Sequence, residues 1–111
     1  MVTDAAVKDA AVVDSMVAEV EQDLEPLIPL FMQTRQENLA GLEAGLLASD
    51  FKAMEMIGHN LKGAGGAYGF LPVSEIGDLI EQAARINDST AIRTLTGRLR
   101  VYLGNVQIRY V

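Results

Sequence analysis

The chain has 111 residues, of which 50% are apolar, 22% charged and 5% aromatic, with a net charge of −6; that size and composition suit one compact domain and leave no room for a second. It holds no cysteine and one histidine, which excludes disulfides, thiolate nucleophiles and cysteine-ligated zinc or iron–sulfur centres and leaves chemistry to carboxylates and that histidine. The longest uncharged apolar stretches fall well short of the roughly 18 residues of a membrane helix, and acids stand where a signal peptide carries positive charge, so a soluble, cytoplasmic protein without membrane attachment is expected.

Charge is polarised along the chain. Residues 1–25 carry seven acids against Lys8, residues 26–111 are neutral with eight of each sign, and Arg85 to Val111 hold five arginines against Asp88. Five arginines over that length make no dense basic surface, so nucleic-acid binding is disfavoured and the two ends read as solvated helix faces.

In chain order, Ala6, Ala10, Val13, Val17, Val20 and Leu24 recur at spacings of three and four, which predicts an acidic first helix over residues 1–23. Pro26 and Pro29 are tolerated only in a first turn and set a boundary near 23–26. A second helix to about Ala48 presents Ile28, Phe31, Leu39, Leu42 and Leu46, with Arg35 where the spacing calls for an apolar residue. Ser49 and Asp50 offer a cap to a third helix with Met54, Ile57, Leu61, Ala64 and Tyr68 on one face, and Gly69 marks its stop. After Pro72 a fourth helix shows Val73, Ile76, Leu79, Ile80 and Ala83, and Asn87, Asp88 and Ser89 read as turn and cap. A fifth carries Ile92, Leu95, Leu99, Tyr102, Val106 and Tyr110, and no segment alternates with period two over strand length. The expectation is an all-α single domain over residues 1–111: an antiparallel up-down-up-down four-helix bundle over 26–111 with an additional N-terminal helix packed alongside.

His59 lies two residues from both Ile57 and Leu61, so it projects about 160° from the apolar stripe of its helix and faces outward. Lys62, Gly63 and Gly66 follow on the same ridge. Five glycines fall among residues 58–69; each costs up to roughly 1 kcal/mol relative to alanine in a helix, so clearance around His59 rather than local stability is what they offer. A helical hairpin turning near Phe70 sets Glu81 level with His59 and Asp78 level with Lys62. A carboxylate at 81 would accept a hydrogen bond from Nδ1, fix the tautomer and leave Nε2 nucleophilic, whereas two ordinary solvated acids on the outer face of the fourth helix are the plainer reading. The glycine run has neither the order of a Walker loop nor a preceding strand for a dinucleotide fingerprint, and one histidine builds neither a two-histidine metal site nor a serine triad.

The run His59-Asn60-Leu61-Lys62-Gly63-Ala64-Gly65-Gly66-Ala67-Tyr68-Gly69-Phe70 resembles the signature of histidine phosphotransfer (HPt) domains, the phosphoryl carriers of multistep two-component phosphorelays. The family pattern of histidine, large apolar residue, lysine, glycine and a later glycine falls on His59, Leu61, Lys62, Gly63 and Gly69, and its continuation on Val73 and Glu81. The likeness extends from about Leu24 to Val111, with Phe31 and Asp50 at further family positions and Gly58 where alanine is usual.

The resemblance implies a phosphoryl carrier without kinase activity of its own. His59 would accept the group from a receiver-domain aspartate and pass it to another receiver, Lys62 would offset the phosphate charge, Gly63 and Gly66 would give a partner's loops clearance, and Glu81 would orient the imidazole. It implies no cofactor in this chain, Mg2+ on the partner receiver, response-regulator receivers and a sensor or hybrid histidine kinase as partners, and a monomer. Phe70, Leu71, Ile57 or Met56, whichever stay exposed, would form an apolar docking patch. The run through Tyr68-Gly69-Phe70 also resembles the phosphoacceptor domain of chemotaxis histidine kinases, which would need a separate ATP-using kinase domain as donor; an inert helical interaction module is the further alternative.

Overall fold

The computed structural model describes residues 16–111. In these, a short strand β1 (Val17–Val20) and a 3-10 turn (Gln22–Leu27) lead into helices α1 (Ile28–Ala48), α2 (Phe51–Tyr68), α3 (Leu71–Arg85) and α4 (Ser89–Asn105), followed by strand β2 (Gln107–Tyr110). Several helix ends have a local cause. Pro29 sits in the first turn of α1, and Ser49 ends that helix with φ 53°. The Asp50 carboxylate accepts the Ala53 N–H at 3.1 Å and the Asp88 carboxylate the Ala91 N–H at 3.0 Å, each satisfying a donor that a helix start leaves open. Gly69 closes α2 in the left-handed region, at φ 89°, where a Cβ is penalised.

The four helices close on one another: α1 packs on α2 and α4, and α3 on α2 and α4. Contacts between α1 and α2 run antiparallel, with Gly45 on Met54, Gly41 on Ile57 and Phe31 on Tyr68. Between them the core holds Leu42, Met54, Leu61, Phe70, Ile80, Ile92 and Leu99, all fully buried. Arg35, out of pattern in the sequence, is buried too. Its guanidinium lies 4.7 Å above the Phe31 ring centroid and its Nε donates to Asn38 Oδ1 at 2.9 Å, so the aromatic face and the amide take the place of water; burial lowers its pKa. No described helix is long and apolar enough to cross a membrane.

Two expectations are corrected at the ends. The first predicted helix lies outside the described residues up to 15; its remainder forms β1, paired in parallel to β2 in the register Val17↔Gln107 to Val20↔Tyr110, and the start of the 3-10 turn. The fifth predicted helix stops at Asn105, so Tyr110 belongs to a strand and Val106, with ψ 134°, to the exit turn. Each strand does alternate, with Ala18 and Val20 buried between exposed Val17 and Glu19, but four residues are too few to show against the same residues' helical spacing. Pairing is what decides: Val111 N–H donates to the Val20 carbonyl at 2.9 Å and Gln22 N–H to the Val111 carbonyl at 3.1 Å, and Arg109 pairs with Glu19. Leu79, placed on the core face by its spacing, is 43% exposed.

Candidate functional site

The site grows out of an unusually close approach between α2 and α3. A Cβ on Gly58 would lie 2.7 Å from the Glu81 backbone nitrogen and 2.8 Å from the Gly77 carbonyl oxygen, and one on Gly77 would lie 2.6 Å from the Lys62 nitrogen. Gly65 meets the Ser74 nitrogen in the same way, at 2.4 Å. The glycines therefore divide by role. Gly58, Gly65 and Gly77 let two helix backbones touch, Gly69 caps α2, and Gly63 and Gly66 face outward. Nothing described lies within 4 Å of a Cβ on Gly63, and only the Ser74 hydroxyl, at 3.8 Å, within that range of one on Gly66.

That contact sets the His59 and Glu81 side chains together. The His59 ring is 72% exposed, while the Glu81 side chain is 9% exposed; His59 Nδ1 and Glu81 Oε2 are 3.2 Å apart. With Nδ1 as the donor, Nε2 is left with a free lone pair in solvent. The same Glu81 oxygen accepts from Arg85 Nη2 at 2.9 Å, and Arg85 Nε donates to Glu55 Oε2 at 3.1 Å. Hydrogen bonding to Glu55 and the nearby charge of Glu81 raise the Arg85 pKa, so this guanidinium is a fixed cation holding the carboxylate against burial. Lys62 Nζ is 3.0 Å from Asp78 Oδ1, and the Lys62 carbonyl accepts from the Ser74 hydroxyl at 2.9 Å. The pairs Glu55 with Arg85, His59 with Glu81 and Lys62 with Asp78 run antiparallel down one hairpin.

The hairpin expectation therefore places Glu81 and Asp78 where they are found, and Glu81 is buried against the reading of a solvated acid. Arg85 and Glu55 were not singled out from the sequence. The signal was available one helical turn away, since Arg85 stands four residues after Glu81 and Glu55 four before His59. Gly77, the partner of Gly58 across the interface, gave no signal of its own. Among the docking candidates Phe70 is corrected: it is fully buried and stacks on Phe31 at 4.6 Å. Met56 is 60% exposed and Leu71 65%, and Met56 stands on the His59 ridge.

The family model described as Hpt domain matches residues 26–107, which includes all four helices and the whole of this site. The chain belongs to this family. No curated protein matches it, and no solved structure does. Hpt domains act as phosphocarriers in histidine phosphotransfer, working with response-regulator receivers and kinases. The match begins at Pro26, within the 3-10 turn, so β1 lies outside the matched region, laid against Gly69: a Cβ there would come within 2.7 Å of the Glu19 carbonyl oxygen.

Proposed function

We propose that His59 is the phosphoacceptor of a relay step, taking a phosphoryl group from a receiver-domain aspartate and returning it to the aspartate of another receiver. The observation that carries this is the exposed ring of His59 held through Nδ1 by the buried Glu81. In the transfer, the Nε2 lone pair forms the N–P bond while the acyl P–O bond breaks and its electron pair stays on the receiver's carboxylate. The ring gains positive charge, which Glu81 stabilises through the Nδ1 proton; no other reactant is consumed. Lys62 offsets the phosphoryl charge of about −2. Gly63, with open space beside it, and Gly66, with only the Ser74 hydroxyl near it, admit the partner's loops, and Met56 supplies an apolar anchor on the same ridge. Magnesium belongs to the receiver, whose acidic residues hold it, and this chain contributes the nucleophile to a shared site. It acts as a monomeric, cytoplasmic carrier made of the single domain, without kinase activity of its own.

The deciding experiment mixes the protein with a phosphorylated receiver domain and magnesium and follows intact mass. One added phosphoryl group, lost on acid treatment and absent in His59→Gln, is the expected result. Uptake retained by His59→Gln would refute the assignment. Uptake only from a chemotaxis-type kinase domain would replace the receiver as donor, and none from either would leave an inert bundle.

A further inference from the structure

Both cations nearest His59 are already committed. Arg85 spans Glu81 and Glu55, and Lys62 lies against Asp78, whose second oxygen accepts from Gln82 Nε2 at 2.9 Å. Three carboxylates thus face two cations around the His59 ring, and the arriving phosphoryl group is a further anion on that surface. Lys62 stands one turn along the helix from His59, but its ammonium is held sideways, toward α3. The pair is half in solvent, at 51% exposure for Lys62 and 38% for Asp78, so it exchanges readily and is held weakly.

We infer that Asp78 is a positioning residue that competes with the phosphoryl group on His59 for the Lys62 ammonium and thereby sets how much of the protein is phosphorylated at equilibrium with its donor. This rests on the carrier reading above. The transfer is the one already given, with the same bonds formed and broken; Lys62 only exchanges one anionic partner for another. Arg85 is less able to move, because two carboxylates hold it in a fork, one of them buried. Lys62, on a flexible stem with one partner among the described residues, is the cation free to change sides.

The test compares wild type with Asp78→Asn, which keeps the acceptor for Gln82 and removes the charge. Each is equilibrated with a limiting amount of phosphorylated receiver and magnesium, and occupancy is read by intact mass. Asp78→Asn is expected to shift the equilibrium toward the phosphorylated carrier by about 1.4- to fivefold, the range an exposed ion pair spans. In a Lys62→Met background the same substitution should do nothing. An unchanged occupancy in Asp78→Asn, or an equal shift with and without Lys62, overturns the inference while leaving the carrier reading intact. Failure of wild type to accept a phosphoryl group, from receivers or from phosphoramidate, overturns both. Independently of any donor, the Lys62 ammonium resonance of the unphosphorylated protein should move in Asp78→Asn, and a resonance that stays in place removes the pairing itself.

Discussion

The same substitution at two glycines of α2 should act with opposite sign. Alanine is favoured over glycine inside a helix by about 1 kcal/mol. At Gly63 nothing described lies within 4 Å of the new methyl, so Gly63→Ala should keep most of that gain, with a Tm rise of about 4 °C. At Gly58 the methyl would stand 2.7 Å from the Glu81 nitrogen and 2.8 Å from the Gly77 oxygen. Both are backbone atoms of a packed helix, so no rotamer change relieves the clash and α3 must move back by roughly 0.7 Å to restore ordinary contact. Overpacking of this kind costs about 1–3 kcal/mol, leaving Gly58→Ala up to about 2 kcal/mol less stable than wild type after the helical gain, and about 1–3 kcal/mol less stable than Gly63→Ala. The same displacement would stretch the 3.2 Å contact of His59 with Glu81 to about 4 Å, past hydrogen-bonding range. Urea unfolding followed by far-ultraviolet circular dichroism reads the stabilities, and ring-nitrogen shifts of His59 read the contact. Equal stabilities for Gly58→Ala and Gly63→Ala would refute the claim that backbone approach is what Gly58 serves.

Three further outcomes follow from burial and clearance. Burial pushes the Tyr102 phenol up to about 12, so the folded state keeps a proton that the unfolded chain loses near pH 10; stability present below pH 10 is then lost as pH rises through 12, by about 3 kcal/mol at most. Its hydroxyl has no partner among the described residues, so Tyr102→Phe should be at least as stable at pH 7 and lack that alkaline loss, and unfolding free energies that stay parallel from pH 9 to 12 would contradict this. Val20 is fully buried and Val17 45% exposed; Val20→Ala should cost about 2 kcal/mol and Val17→Ala almost nothing in the same denaturation assay, and equal losses would mean that β1 is not packed as described. Gly63→Leu should fold normally yet slow phosphoryl transfer from a receiver about tenfold in a quenched time course, a rate equal to wild type removing its clearance role.

The four helices and most of their limits, the end of α4 excepted, were legible because each signal is local. Asp50, Gly69 and Asp88 act within one turn of themselves, and the three-and-four spacing of Met54, Leu61, Ile76, Ile80, Ile92 and Leu99 needs no partner to be recognised. The outward aim of His59 and the level of Glu81 follow from helical period and one short turn, so the geometry at the centre of the candidate site was legible as well. What the sequence left open depends on distance along the chain. Four residues of alternation are ambiguous until a partner ninety positions away completes the ladder, as Val20 and Tyr110 do. Arg85 and Gly77 acquired their meaning only from what lies across the interface: a buried carboxylate that needs a cation, and a backbone that leaves no room for a methyl. Local propensity and period thus determined the four helices and the histidine's exposure, while the pairing of β1 with β2 decided the strands and the close approach of α2 to α3 decided which charges pair, because ion pairs and backbone contacts fall off within a few ångströms that no linear spacing records.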